Sequence, residues 1–149
     1  MVLQFNLYEE LNHDVELDKP HQIIECLTFD ENKGMLLMNW FYRKDVHVRN
    51  LKEVYGENRH FVEIYGEDIW DIILALAKVL NELVGWKRDL LAYHYFPVIY
   101  SIPSYNKGVD MWSDEYYTDL KEIYNQLYEL VDSDNVYNRE RRFFYNISW

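Results

Sequence analysis

Carboxylates in the C-terminal part of the chain have a spacing that could support chemistry. Asp119 lies four residues after Glu115 and three before Glu122, so their oxygens could converge on a hard cation from one face of a helix. A solvated helix face is the commoner outcome of such a pattern. We therefore expect neither a metal site nor a cofactor here.

The histidines offer little more. They stand at positions 13, 21, 47, 60 and 94, and no two are spaced to share one helical face as a helical zinc motif requires. His94, in AYHYF, could act in acid–base chemistry, but a hydrogen bond within an aromatic cluster is the competing interpretation. Phosphate-binding glycine motifs, GxSxG and CxxC are absent from the sequence. No catalytic residue is predicted.

Negative charge is concentrated in two stretches. The chain carries −11 overall, residues 9 to 31 and residues 108 to 134 carry −7 each, and the remainder is positive. Localised acids favour a basic partner and repel the phosphates of nucleic acid. We expect a basic protein such as a nuclease, an effector or a toxin as the partner, without direct nucleic-acid binding. The competing interpretation is that the acids only solvate the surface.

The second stretch combines its acids with aromatic residues. Ser113 is the expected N-cap of a helix over residues 113 to 132, with Leu120, Ile123 and Leu127 on its core face and acids on its outer face. Tyr117 and Tyr128 are expected to flank the core stripe. Acids beside Tyr or Trp suit a groove that normally holds phosphates and bases. The predicted partner-binding residues are Asp110, Trp112, Asp114, Glu115, Tyr117, Asp119, Glu122 and Glu129.

The elements that must position these residues follow from hydrophobic periodicity. Strands are predicted at residues 2–8, 22–29 and 60–65, with a further strand at 35–38 after a turn at 30–34. An amphipathic helix is predicted over 37–55, with a possible break at DVHV. A second helix is predicted over 67–84, ended by Gly85. A strand is expected near 98–102, preceded by a short helix or an extended strand, and Phe143 to Ile147 favour a terminal strand.

Together these elements predict a single α+β domain over residues 1–149. Three main helices pack on a small, mostly antiparallel sheet that includes both chain termini. No apolar run approaches the length of a spanning helix, and the first residues lack the pattern of a secretory signal, so we expect a cytoplasmic protein with no membrane contact. Cys26 is expected to be an inert, half-buried thiol in a reducing compartment.

Residues 40 to 131 resemble a widespread set of small uncharacterised phage and prophage proteins. FYRK, at Phe41 to Lys44, is similar to the aromatic-Trp-Arg-Lys helix motif of that family, with Tyr42 at the position of the Trp and Arg49 where a His is usual. The segments VEIYGEDIWDIILALAKVL and SDEYYTDLKEIYNQLYELV continue the resemblance. It implies a phage-derived α+β protein without established enzymatic activity, in which Arg43 and Lys44 are of interest.

The sequence as a whole predicts a non-enzymatic acidic binding protein. Its expected role is to block the basic surface of a host defence or nucleic-acid-acting protein, in the manner of an anti-CRISPR or another anti-defence inhibitor, with possible nucleic-acid mimicry. An immunity protein that neutralises a basic nuclease toxin shares nearly all of these features. A small enzyme using His94 and a virion structural protein that self-associates through its aromatics are the remaining alternatives.

Overall fold

The computed structural model describes residues 3–11, 22–43, 48–50, 60–82, 85–96, 114–132 and 142–148. Five strands and four helices lie within these ranges. The strands are β1 Gln4–Leu11, β2 Gln22–Asp30, β3 Val48–Asn50, β4 His60–Tyr65 and β5 Arg142–Ser148. The helices are α1 Glu31–Arg43, α2 Gly66–Asn81, α3 Gly85–Tyr95 and α4 Asp114–Asp132.

The strands form one antiparallel sheet in the order β2-β1-β5-β4-β3. The first and last strands are neighbours, with Leu7 opposite Tyr145, so both ends of the described chain meet in the sheet. The predicted α+β class and the antiparallel sheet are confirmed. The described helices number four, because residues 85–95, which the sequence left open, are helical.

One face of the sheet packs against the helices. Phe5 of β1 and Tyr145 of β5 both stack on Phe41 of α1, with ring centroids 5.6 and 4.7 Å away. Ile64 of β4 and Phe143 of β5 are fully buried in the same cluster. Each large apolar side chain buried in this way stabilises the fold by about 1.5 to 3 kcal/mol relative to exposure.

The opposite face of the sheet has its own packing. Tyr8, Phe61 and Phe144 form a second buried cluster, with edge-to-face contacts at 5.3 and 6.4 Å. Beside it, Asn6 donates to Asn146 Oδ1 at 3.0 Å and accepts from the Thr28 hydroxyl at 3.2 Å. The buried Asn6 amide is therefore satisfied by neighbouring strands, as a buried polar group requires.

Helix α2 agrees closely with its prediction. Ile69, Ile72 and Leu76 lie on its buried face. At its start, the Asp68 carboxylate accepts a hydrogen bond from the Tyr65 backbone N–H at 2.7 Å. The carboxylate both satisfies a donor beside the helix end and interacts favourably with the helix dipole.

Helix α1 corrects two predictions. Residues 35–38 are not a strand, and the helix predicted over 37–55 ends at Arg43, with β3 following at Val48–Asn50. Leu36, Leu37, Met38 and Asn39 are all buried and follow one another at steps of about 100°, so α1 is covered on most of its circumference. A short apolar run of this kind fits a buried strand and a buried helix equally well.

The remaining predictions concern Gly85 and the strands of the sheet. Gly85 does not close a long helix, because α2 ends at Asn81 and Gly85 is the first residue of α3. The strands predicted at 2–8, 22–29 and 60–65 and the terminal strand are confirmed as β1, β2, β4 and β5. The strand predicted near 98–102 lies outside the described residues.

No helix in the described ranges has the length and apolar character to cross a membrane.

Candidate functional site

Helix α4 places the acidic residues of the second stretch. Leu120, Ile123 and Leu127 are buried at intervals of three and four residues, which fixes the rotation of the helix against the core. The helix begins at Asp114, and the carboxylates of Asp114 and Glu115 in its first turn complement the helix dipole. The opposite side of α4 is therefore held toward solvent by its own core face.

The structure separates the eight predicted partner-binding residues into four groups. Asp114, Glu115, Glu122 and Glu129 are exposed, whereas Asp119 is half-buried. Asp110 and Trp112 lie outside the described residues, as does the predicted N-cap Ser113. The remaining residue, Tyr117, is buried.

Three exposed glutamates of α4 form a regular row. Glu115, Glu122 and Glu129 are seven residues apart, so they lie nearly in line along the helix at intervals of about 10.5 Å. We call these three residues the acidic stripe. The Lys33 ammonium lies 2.9 Å from the Glu122 carboxylate and links α1 to the middle of the stripe. An exposed pair of this kind contributes about 0 to 1 kcal/mol and is readily exchanged for another partner.

The charge density of α4 sets a limit on mimicry. The helix has six carboxylates and one lysine, a net charge of −5, over roughly 28 Å of length. That is about one negative charge per 6 Å, whereas duplex DNA carries about one per 1.7 Å and each strand about one per 3.4 Å. Helix α4 therefore has the charge to complement a basic surface, but its charge density is lower than that of a DNA duplex.

The buried position of Tyr117 is a correction. We expected its ring at the exposed edge of the helix, but it is only 8% exposed. Its hydroxyl donates to the Asp89 carboxylate, and the Arg88 guanidinium lies 3.4 Å from the centre of its ring. Both partners belong to α3, the element whose conformation the sequence left open. Tyr117 therefore joins α4 to α3, and little of its side chain remains available for a partner.

The neighbouring Tyr116 makes a second link to the same region. It is fully buried, and its hydroxyl donates to the Phe96 carbonyl at 2.7 Å. Burial raises the pKa of both tyrosines well above the ordinary value of 10.0, and the negative charge of Asp89 adds to the effect. The two hydroxyls act as neutral hydrogen-bond donors between helices.

Tyr128 is the exposed tyrosine of α4. It is stacked on Tyr124 at 5.8 Å and lies edge-on to Trp70 of α2 at 6.0 Å between ring centroids. The prediction placed Tyr128 at the edge of the core stripe but not among the partner-binding residues. Tyr128 directly precedes Glu129 in the chain, so it lies about 100° around α4 from the acidic stripe, on the side that meets α2.

The His94 imidazole and the Cys26 thiol lie on different elements, α3 and β2. His94 is exposed on α3, with its ring edge-on to Tyr95 at 4.7 Å. Cys26 is half-buried, as expected, and its thiol donates to the Leu7 carbonyl at 3.3 Å. Among the described residues there is no group of three or more His, Cys, Asp or Glu placed to hold a metal ion.

Comparisons of the chain with protein families, with curated proteins and with solved structures found no match. The resemblance to small phage proteins therefore stays a prediction. Function has to be inferred from the charge and geometry of α4 and the helices that hold it.

Proposed function

We propose that this chain is a non-enzymatic binding protein that occupies the basic surface of another protein through α4. The observation that carries the proposal is the acidic stripe, three exposed glutamates at a constant spacing on a helix fixed by its buried face. Net charge alone gives an acidic protein no preferred orientation. A row of charges on a rigid helix gives it a preferred orientation, because complementary potentials fix how the two surfaces align when they meet.

Charge and apolar contact have different parts in this proposal. Exposed carboxylates accelerate association and select partners of opposite charge, while each pair adds little to affinity. Tyr128 supplies a ring, 39% exposed, which a partner can desolvate if it also covers the side of α4 that faces α2. Aromatic residues of this kind often carry a large share of the binding energy at interfaces.

The partner class follows from the same chemistry. A basic groove that normally holds nucleic-acid phosphates is the natural counterpart of the stripe, so the proposed targets are host nucleases and defence effectors. The setting is the host cytoplasm, and the role is that of a phage-encoded or mobile-element-encoded anti-defence protein. Neutralisation of a basic nuclease toxin by an immunity protein is the alternative that uses the same surface.

The enzyme alternative receives less support. It needs His94 in a buried pocket with a carboxylate, whereas the imidazole is exposed on α3. General acid–base catalysis depends on a group whose environment tunes its pKa and holds it against the substrate. An exposed imidazole in edge contact with Tyr95 lacks that enclosure.

Affinity capture at two salt concentrations tests the proposal. The immobilised full chain is incubated with host lysate at about 50 mM salt and washed at about 500 mM, where surface charge interactions are largely screened. We expect a small set of basic proteins to be retained at low salt and released at high salt. Retained proteins that are no more basic than the lysate average, or that resist high salt, would contradict the electrostatic premise.

A further inference from the structure

Helices α2 and α4 share an exposed surface of aromatic and aliphatic side chains. Trp70 of α2 lies edge-on to Tyr128 of α4 at 6.0 Å, and Tyr128 is stacked on Tyr124 at 5.8 Å. Leu74 lies one turn after Trp70 on α2 and is 57% exposed. We call Trp70, Leu74, Tyr124 and Tyr128 the α2–α4 patch. Because Trp70 and Tyr124 also pack against the core, the patch is a fixed part of the surface.

The two helices run antiparallel beneath this patch. Trp70 near the start of α2 meets Tyr128 near the end of α4. At the other end, Lys78 in the last turn of α2 lies 3.5 Å from the hydroxyl of Tyr95, the last residue of α3. The Tyr116 hydroxyl, in the first turn of α4, donates to the carbonyl of the next residue after α3. The patch therefore follows the groove between two antiparallel helices.

Carboxylates surround the end of the patch where α2 begins and α4 ends. Glu67 lies one turn before Trp70, Asp132 lies one turn after Tyr128, and both carboxylates are exposed. The first two turns of α2 and the last two turns of α4 contain no lysine or arginine. They contain five carboxylates, those of Glu67, Asp68, Asp71, Glu129 and Asp132. This end of the patch therefore attracts a cationic group.

The lysines that adjoin the patch lie at its opposite end. Lys78 is one turn after Leu74 on α2, and Lys121 is three residues before Tyr124 on α4. A segment that is cationic along its whole length would be repelled by these two lysines. The charges around the patch therefore complement a segment whose cationic residues are confined to one end.

We infer that the α2–α4 patch is a docking site for an amphipathic helix of a partner protein, with lysine or arginine residues at the end that lies over Glu67 and Asp132. The apolar face of such a helix covers the patch with contacts at intervals of three and four residues. A strand fits less well, because it needs an open sheet edge, whereas the backbone groups of α2 and α4 are bonded within each helix. The patch lies about 100° or more around α4 from the acidic stripe, so the inference goes beyond the proposed function and does not depend on it.

Binding of a labelled peptide, followed by fluorescence anisotropy, tests the inference. The probe is an amphipathic peptide of 16 residues, the length of α2, with leucines on one face, lysines in the polar positions of one half and glutamines in those of the other. We expect a dissociation constant on the order of 10 μM at about 50 mM salt. A peptide with glutamate in place of each lysine should bind at least about tenfold more weakly. Equal binding of the two peptides, or no binding of the lysine peptide, would overturn the inference.

Two leucine substitutions locate the site of binding. Leu74→Ser should weaken binding of the lysine peptide at least about fivefold, because it removes apolar contact from the patch. Leu90→Ser is the matched control, since Leu90 is 61% exposed on α3. The control should bind the peptide like the unaltered chain. Equal weakening in both variants, or none in Leu74→Ser, would show that the patch does not hold the peptide.

Indole N–H signals in nuclear magnetic resonance spectra give a second readout of position. Trp70→Phe identifies the signal of Trp70, and Trp86→Phe identifies that of Trp86, which is 56% exposed on α3. Addition of the lysine peptide should shift the Trp70 signal and leave the Trp86 signal in place. A Trp86 signal that shifts as much as that of Trp70 would contradict docking at the patch.

Sedimentation velocity tests whether a second copy of the chain occupies the patch instead. The full chain should remain monomeric up to about 200 μM, because two copies that each carry −11 repel each other. A dimer that Leu74→Ser abolishes would show that a second copy covers the patch, and the inference would be wrong.

Charge variants separate the patch from the net charge of the protein. Glu67→Gln/Asp132→Asn should weaken binding of the lysine peptide, whereas Glu25→Gln/Glu31→Gln, which removes the same charge from other elements, should have little effect. Equal effects would show that only net charge matters and would rule out docking at the patch. Failure of the peptide to bind leaves the acidic stripe untouched, whereas failure of salt-sensitive capture contradicts the proposed function without touching the patch.

Discussion

At the residue scale, Tyr117 shows that contacts with a neighbouring helix decide whether an aromatic ring is buried. The Arg88 guanidinium lies over the ring, and the Tyr117 hydroxyl donates a hydrogen bond to Asp89. Helical spacing placed Tyr117 beside the core stripe, which is correct. Its neighbours on α3 are distant in sequence, so periodicity alone could not reveal that the ring is covered.

The raised pKa values of Tyr116 and Tyr117 predict a loss of stability in alkali. The unfolded chain loses these protons near pH 10.0, whereas the folded chain keeps them to higher pH because the hydroxyls are buried. Deprotonation therefore favours unfolding, so stability from these groups is complete below pH 10 and declines above it. Urea midpoints measured from pH 8 to about pH 11 should fall steeply above pH 10.

Variants isolate this effect from the titration of lysines. The double variant Tyr116→Phe/Tyr117→Phe should be less stable at neutral pH, but its stability should decline less between pH 10 and about pH 11. Tyr128→Phe, which alters an exposed ring, should retain the steep decline of the unaltered chain. Equal slopes in the double variant and the unaltered chain would show that the two buried hydroxyls do not control the alkaline transition.

Arg142 and Lys33 make ion pairs that differ in burial, so their removal should differ in its effect on stability. Its guanidinium lies 2.7 Å from Glu63 Oε1 and 3.1 Å from Glu10 Oε2, and the Glu10 side chain is only 5% exposed. Arg142→Met keeps the apolar stem but strands two carboxylates in a poorly hydrated place, which should cost about 3 kcal/mol of unfolding free energy. Lys33→Met breaks the exposed pair with Glu122 and should cost less than about 1 kcal/mol.

Chemical denaturation with urea distinguishes the two outcomes. Both substitutions remove one positive charge, but Arg142→Met breaks two ion pairs and Lys33→Met breaks one, so a loss more than twice as large for Arg142→Met reports burial. Similar losses for Arg142→Met and Lys33→Met would show that the network on the second sheet face is no more protected than a surface pair.

At the scale of elements, Gly34 explains why α1 lies so close to the sheet. A Cβ at this position would stand 2.6 Å from the Phe29 carbonyl oxygen and 3.2 Å from the Phe5 backbone N. Alanine is favoured over glycine in a helix by about 1 kcal/mol, but these contacts are with backbone and cannot be relieved by a rotamer change. Gly34→Ala should therefore destabilise the protein by about 1 to 3 kcal/mol.

Gly85 is the matched control for this prediction. It also lies in a helix, and a Cβ there would meet nothing within 4 Å. Gly85→Ala should leave the urea midpoint unchanged or raise stability by up to about 1 kcal/mol. If Gly34→Ala were as well tolerated as Gly85→Ala, the close approach of α1 to β1 and β2 would be wrong.

The success of sequence-based prediction differed among elements for a physical reason. Helices α2 and α4 have one buried and one exposed face, so the period of 3.6 residues is visible in their sequences. Helix α1 is buried on most sides, and its run Met35 to Met38 hides that period. Helix α3 has apolar residues on both faces, because Leu91 and Ala92 pack against the core while Trp86 and Leu90 face outward.

Some features of the candidate site could likewise be predicted from the sequence, and others could not. Exposure of Glu115, Glu122 and Glu129 could be predicted, because it follows from the periodicity of α4 itself. The burial of Tyr117 and the pairing of Lys33 with Glu122 depend on contacts with α3 and α1. Contacts between elements distant in sequence are set by the tertiary arrangement, which local patterns do not specify.

At the scale of the whole molecule, the described acids of the two stretches are arranged differently. In the first, Glu10 is enclosed in an ion pair with Arg142 between strands. In the second, the acidic stripe lies on the outer face of one helix. The first stretch also has exposed acids, such as Glu25 on β2 and Glu31 at the start of α1, but among the described acids only those of α4 form a regular row, so α4 is the better candidate for partner binding.

The acidic stripe is tested most directly by comparing two variants of equal charge. Glu115→Lys/Glu122→Lys/Glu129→Lys reverses the stripe, and Glu25→Lys/Asp30→Lys/Glu31→Lys reverses three exposed acids on other elements. Each reversal adds two charges, so both variants carry −5 in place of −11. Circular dichroism establishes that both are folded before the captured proteins are quantified at low salt.

The stripe reversal should lower retention of the basic partner by roughly 100-fold, since three surface contacts of about 1 kcal/mol each are turned into repulsion. The matched control should lose far less, because only the net charge has changed. Equal loss in the two variants, or full retention by the stripe reversal, would contradict the claim that α4 is the binding surface.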